Sequence, residues 1–209
     1  LIEAAERAGV RRFVSSDFGA FPEGSLMYQA MRPSWQRRAR QQSSVLREKA
    51  KQNPPFTWST FVNGPLFGQD FGFDVKSQSA IIFDSGNEPL TAMAIKNIGQ
   101  AVASMLEFLE QTANRPLQIS ALLTTQNKNT KGRTQTKWNK VDISTKDAEL
   151  KAGAMLRNGD YKGAYIGLLV AQLFEDGAGR GVGTGADNKL LGVAPERLED
   201  IIEVTVTEA

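Results

Sequence analysis

Chemically competent side chains cluster in a few places along this chain. The stretch Arg11-Arg12-Phe13-Val14-Ser15-Ser16-Asp17-Phe18-Gly19 runs two apolar residues into hydroxyls, a carboxylate, a ring and a glycine. That composition reads as a buried strand ending where something binds. A second apolar stretch ends in the same manner at Asn63-Gly64-Pro65, and Phe67, Phe71 and Phe73 come after it in a glycine-rich loop. Aromatic rings on such a loop can wall a flat apolar molecule. Arg37, Arg38, Arg40 and Arg47 crowd one segment. A guanidinium there can hold a phosphate or carboxylate, but it cannot donate a proton at neutral pH.

The missing residue types narrow the chemistry further. The chain contains neither His nor Cys. Without them there is no Ser-His-Asp triad, no thiolate nucleophile, no disulfide, and no imidazole or thiolate metal site, so no metal is expected. Proton transfer must fall to Lys, Tyr, Asp, Glu or water.

A length of 209 residues suits one domain of ordinary size or one and a half small ones, and 41% hydrophobic with 23% charged residues is the balance of a soluble globular protein. No apolar run approaches the roughly 18 residues of a membrane helix, so no membrane is expected as a partner and a cytoplasmic protein is. The formal net charge of +2 conceals an uneven distribution: residues 1–60 carry ten Lys or Arg against five Asp or Glu, and 126–140 carry five with no acid. Such patches can hold phosphates or polyanions, although blocks this short read first as a solvated helix face and a solvated loop, and no nucleic acid is expected. Leu1 falls inside the amphipathic segment LIEAAERAG, which lacks the features of a signal peptide and reads as the start of a fragment.

The elements carrying these residues come in a repeating order. Residues 2–8 read as a helix closed by Gly9, and 10–15 as a strand. Residues 34–52 read as a helix with Ser34 at its N-cap and Asn53-Pro54-Pro55 as its stop, and 56–62 as a half-buried strand. A strand reached twice through a helix implies parallel strands of one sheet, with 10–15 and 56–62 as neighbours. Beyond Pro65 the pattern predicts a strand over 80–83, a helix over 95–109, a strand over 117–123, a poorly ordered basic segment over 124–140, a helix opened by a capping box at Ser144 and Asp147, an apolar helix over 161–174 with Tyr161 and Tyr165 in the core, and a terminal helix over 195–204. Gly181, Gly183 and Ala186 match the spacing of a dinucleotide fingerprint. The context does not match, since a helix precedes them and Asp187-Asn188 break the continuation, so 177–186 is expected to be a flexible surface loop.

The order SSDFG, helix, FTWSTFVNGPLFG, flanked by LIEAAERAGVRRF and AIIFDSGNEPLTAMAIKNIGQAV, resembles the NmrA-like and isoflavone reductase-like group of atypical short-chain dehydrogenases. The likeness covers nearly the whole chain and weakens over 124–140. It implies an α/β fold, with residues 1–66 the C-terminal portion of a Rossmann-type parallel-sheet domain that binds NADP, and 67–209 a smaller α/β substrate domain. It also implies that the glycine-rich phosphate loop is missing from these residues, so the chain alone should bind the dinucleotide weakly or not at all.

By the same resemblance, Ser16, Asp17 and Phe18 lie beside the nicotinamide, Asn63, Gly64 and Pro65 join the cofactor site, and Phe67, Phe71 and Phe73 border the substrate. Reductases of this group carry a lysine on the helix after the SSDFG-like motif; here Ala39 stands at that place between Arg38 and Arg40, and Lys49 is the first lysine of the chain. Arg38 is then expected to hold the cofactor and Arg40 to serve the reaction site by binding. The implied activity is hydride transfer from NADPH to a small apolar or aromatic metabolite. The alternatives are a non-catalytic dinucleotide sensor that regulates a protein partner, and a degenerate product without activity.

Overall fold

The computed structural model describes residues 1–16, 18, 33–66, 72–74, 77–131, 138–198 and 200, with the backbone alone at 33–39 and 131. In chain order the elements are α1 (Ile2–Arg7), β1 (Arg12–Val14), α2 (Pro33–Gln52), β2 (Thr57–Val62), β3 (Phe73–Asp74), β4 (Ser79–Phe83), β5 (Leu90–Ala92), α3 (Ile95–Glu107), β6 (Arg115–Gln118), β7 (Leu122–Thr124), α4 (Gln126–Lys131), β8 (Asn139–Ile143), α5 (Thr145–Arg157), α6 (Tyr161–Phe174) and α7 (Asn188–Leu191). The fold is mixed α/β with a Rossmann-like parallel sheet. Two compact units emerge: the described residues within 1–64, 95–120 and 183–194 form the first, and those within 65–94, 121–182 and 195–209 the second. The units are assembled from separate stretches of chain, with α3, β6 and α7 in the first unit.

In the first unit β1, β2 and β6 form a sheet in that order, parallel throughout, with Phe13 opposite Trp58 and Phe61 opposite Leu117. The expected parallel neighbours are thus present. The half-buried strand expected over 56–62 is buried more fully, since Trp58, Ser59, Phe61 and Val62 are all buried. A central strand of a parallel sheet is covered on both faces, and a single-face pattern does not apply to it. Helix α2 begins at Pro33, one residue before the expected cap at Ser34. Proline suits a first helical position because its fixed φ is helical and the N–H it lacks would have no helical partner there.

Arg12 ties this unit together at the start of β1. Its guanidinium donates to Thr57 Oγ1 (2.9 Å), Ser59 Oγ (3.1 Å), Thr112 Oγ1 (2.9 Å) and the Leu109 carbonyl, and lies 3.0 Å from Met105 Sδ. Partial burial pulls its pKa below the ordinary value, while the ring of oxygen acceptors keeps the charge solvated.

In the second unit β4 pairs antiparallel with β3 and parallel with β8, and β5 pairs antiparallel with β7. The strand expected over 117–123 is two strands, β6 and β7, assigned to different sheets. Of the segment 124–140, expected to be poorly ordered, residues 124–131 and 138–140 are structured, and 132–137 lie outside the described residues. Gln126, 1% exposed, opens α4; its Oε1 accepts from the Phe83 N–H and its Nε2 donates to the Ile81 carbonyl, both at 2.9 Å. One amide side chain thus continues the ladder where two-residue β3 stops. Residues 139 and 140 belong to β8. The tyrosines of α6 are surface residues: Tyr161 and Tyr165 are exposed, whereas Leu168, Val170, Ala171, Leu173 and Phe174 are buried. Helices α5 and α6 approach so closely at Gly167 that a Cβ there would stand 2.8 Å from that of Ala152. Among the described residues no helix is long and apolar enough to cross a membrane. Of the expected terminal helix, residues beyond 200 lie outside the description.

Helix α5 is capped twice. Ser144 Oγ accepts from the Asp147 N–H at 3.0 Å, and Asp84 accepts from the Thr145 N–H (2.8 Å) and hydroxyl (2.6 Å). Burial pushes the Asp84 carboxyl up, but the hydrogen bonds from Thr145 and the Asp176 N–H, with the Lys146 charge nearby, hold it below the ordinary range. A carboxylate depressed in the fold adds stability above its unfolded pKa, and that stability is lost as pH falls through the folded value. Urea midpoints followed downward through roughly pH 4 should therefore fall more steeply in the wild type than in Asp84→Asn. Parallel pH profiles of the two proteins would contradict the cap.

Candidate functional site

Three parallel strands bring three chain segments to one edge, and in an open parallel sheet that carboxyl edge is where ligands sit. After β1 come Ser15 and Ser16; after β2, Asn63 and Gly64; after β6, Ile119 and Ser120. Ser15 is buried and its N–H donates to the Ser59 carbonyl at 3.2 Å, which extends the β1 pairing by one residue. Ser16 is exposed. Phe18, 39% exposed, lies parallel to the fully buried Phe61 with ring centroids 5.6 Å apart and planes 12° apart.

Asn63 is 0% exposed and its side-chain amide donates to the Gly64 carbonyl at 2.9 Å. Gly64 has φ +64, a left-handed conformation that turns the chain off the strand without a Cβ clash. The Asn63 side chain therefore shapes the turn, and the half-exposed Gly64 backbone is what the edge presents. At β6 the edge is pinned. Asp187 accepts from Arg115 and from the Gln118 N–H, both at 2.7 Å, and Asn188 both accepts from the Ser120 N–H (3.0 Å) and donates to its carbonyl (2.6 Å). The Asp187-Asn188 pair, which in sequence only interrupts a glycine pattern, acts as a clasp on the third strand.

The height of Arg40 is set by element lengths. α2 ends at Gln52, just before β2 starts, so its chain direction opposes that of the strand. Arg40 lies about 18 Å up the helix from Gln52 at about 1.5 Å per residue. β2 spans about 20 Å at about 3.3 Å per residue. Arg40 is exposed, and these lengths put it at about the height of the carboxyl end of β2. The Arg38 side chain, Asp17, Phe67 and Phe71 lie outside the described residues. Pro65 and Phe73 belong to the second unit: the Pro65 carbonyl accepts from the Met93 N–H (3.3 Å), and Phe73 sits edge-on to Trp138 at 6.0 Å and 86°. In that unit burial raises the Glu196 carboxyl above its ordinary range, with the Ala94 N–H it accepts opposing the shift.

The chain is 30% identical over 224 residues to the oxidoreductase poxI of Penicillium oxalicum, a match covering 97% of this chain and 68% of that protein. Among solved structures, the leucoanthocyanidin reductase–NADPH complex of Vitis vinifera superposes with a TM-score of 0.71 at 17% identity, covering 99% of this chain and 72% of that one. Isoflavone reductase superposes at 0.61 and 14% identity, covering 98% and 71%. No family model matches the sequence.

The glycine run 177–186 is no phosphate loop, and neither is it the free surface loop its composition predicts. The Gly177 and Gly179 N–H groups donate to the two oxygens of Glu88, at 2.7 and 2.6 Å, and the Gly181 carbonyl accepts from the N–H and hydroxyl of Thr91. Glu88 is 4% exposed, so the backbone cradle such glycines offer an anion is filled by the protein's own carboxylate. Glu88→Gln should lower unfolding stability in urea by about 1.5–3 kcal/mol, the range for hydrogen bonds to a charged group, because an amide NH2 would face a backbone donor. An unchanged midpoint would show that the loop holds itself.

Proposed function

The chain belongs to the NmrA-like and isoflavone reductase-like family of oxidoreductases, and from that membership we propose that it reduces a small apolar or aromatic enone or carbonyl compound of specialised metabolism with NADPH. The observation that supports this reading is the Phe18 ring, which follows β1, stacks on the buried Phe61 of β2 and is 39% exposed. A flat apolar face after the end of a parallel strand suits a nicotinamide ring, which is itself flat. Bound there, NADPH would supply the hydride.

The chain's own residues have the remaining tasks. Phe61 fixes the plane of Phe18, so a ring lying on Phe18 is oriented before reaction. Asn63 holds the turn that presents Gly64. Arg40, level with this edge, binds an anionic or carbonyl group through its planar fork. From their places in the sequence, Asp17, Arg38 and Pro65 would assist cofactor binding, and Phe67, Phe71 and Phe73 would wall the substrate. With Ala39 at the place where the resembling reductases carry lysine, the proton on the product comes from water. That same substitution favours a second reading, a dinucleotide sensor that acts on a protein partner and turns nothing over.

NADPH oxidation, monitored with a panel of aromatic enones and aldehydes, tests the proposal in protein expressed with any residues encoded upstream of Leu1. Turnover supports it; tight NADPH binding without turnover supports the sensor; neither would overturn both. In an active enzyme, Arg40→Ala should raise KM more than it lowers kcat, the signature of lost binding. Ala39→Lys should raise kcat at least ~10-fold if a missing acid limits the rate, the low end of general-acid contributions being ~100-fold. An unchanged kcat would place the slow step elsewhere.

A further inference from the structure

The outer strand of the second unit's sheet offers an edge whose hydrogen-bonding and charge patterns complement each other. β8 is terminal in the order β3-β4-β8. The Asn139 N–H donates to the Gln78 carbonyl, and the Ile143 carbonyl accepts from the Asp84 N–H, so residues 139, 141 and 143 direct their backbone groups at β4. In a parallel ladder the alternate residues face away. The N–H and carbonyl of Lys140 and of Asp142 therefore point outward, and among the described residues no backbone group pairs with them. Lys140, Val141 and Asp142 are all exposed, with Val141 at 58% beside Ile81 at 37%, its register partner on β4.

An antiparallel partner must match outward residue to outward residue. For a second copy of β8, three nearby registers do so. Centring on residue 140 sets Lys140 opposite Lys140, and centring on 142 sets Asp142 opposite Asp142; both place like charges face to face, which destabilises a strand pair. Centring on Val141 sets Lys140 opposite the partner copy's Asp142 and Asp142 opposite its Lys140. Each of those pairs exchanges two backbone hydrogen bonds, and the two Val141 side chains meet on the face that carries Ile81. Lys140 Nζ donates to Thr130 Oγ1 at 2.9 Å, which leaves two of its three protons for a carboxylate.

We propose that β8 is the pairing edge of a symmetric dimer, in which β8 of a second copy adds antiparallel about a twofold axis through Val141. The sequence Lys140-Val141-Asp142 selects the partner, because opposite charges one residue either side of an apolar centre are self-complementary in this register alone.

The absence of cysteine from the chain makes the test direct. Val141→Cys places two thiols at a non-hydrogen-bonded antiparallel pair, where Cα atoms stand about 4.5 Å apart, inside the about 4.4–6.8 Å a disulfide spans. Under oxidised glutathione it should form a covalent dimer far faster than Leu123→Cys, which is equally exposed at 59% on β7. By sedimentation at tens of micromolar the wild type should be a dimer. Lys140→Glu and Asp142→Lys should each weaken it about 10-fold or more by facing like charges, and the double variant should restore it. A wild type that stays monomeric, single variants that dimerise normally, or equal cross-linking of the two cysteine variants would each overturn the proposal. If a charge variant fails to fold by circular dichroism, the cysteine pair still decides.

Discussion

The first unit depends on how one guanidinium is solvated. Arg12 enters the sheet at the amino end of β1, where an unpaired charge at partial burial would cost several kcal/mol. Hydroxyls from β2 and from the turn after α3, with the Leu109 carbonyl, surround it instead. Each of the three hydroxyls is engaged elsewhere as well: Thr57 Oγ1 donates to the Arg11 carbonyl, Ser59 Oγ to the Thr112 carbonyl and Thr112 Oγ1 to the Phe108 carbonyl. The hydroxyl protons are thereby directed away from the cation and the lone pairs toward it. Strand order, the end of α3 and the turn into β6 are fixed by one set of donors and acceptors.

Placing that network at the amino edge has a consequence at the other end of the strands. The carboxyl edge is held differently, by a ring stack at Phe18 and Phe61, by the Asn63 turn, and by the Asp187-Asn188 clasp on β6. These contacts set the positions of the strand ends while leaving one face of Phe18 and the backbone of Gly64 partly open. The polar cross-links thus gather where the strands begin, and the side-chain contacts at their other end are fewer, the end at which ligands of open parallel sheets sit.

The sequence shows the periodic parts of this fold more clearly than the compensated parts. β1 and β2 are legible as parallel neighbours because each comes after a helix, and α5 because Ser144 and Asp147 form a cap. What stays hidden is polar substitution for secondary structure. Gln126 replaces a strand at β4, Glu88 fills a glycine cradle, and Asp187-Asn188 imitates an edge at β6; each is a single side chain, or a pair, meeting backbone groups that are distant in sequence. Composition cannot reveal them, since a glutamine in a basic segment reads as solvated until its partners are placed. The strand ends of the candidate site are readable as positions. That Asn63 shapes its turn from within, and that Phe18 rests on Phe61, depends on packing.

On the proposed chemistry, the absent lysine changes what the site must supply. Hydride delivery to a carbonyl leaves negative charge on oxygen, and a general acid would neutralise it during the step. A guanidinium can hold that oxygen by paired hydrogen bonds, yet it stays charged and surrenders no proton. Arg40 would thus hold the carbonyl oxygen alike before and after the hydride moves, a role in binding, with protonation then coming from water. Binding of that kind lowers KM without raising kcat, so the proposed site would work without a positioned acid. On that reading the rate would depend on how readily water reaches the product oxygen, rather than on a lysine.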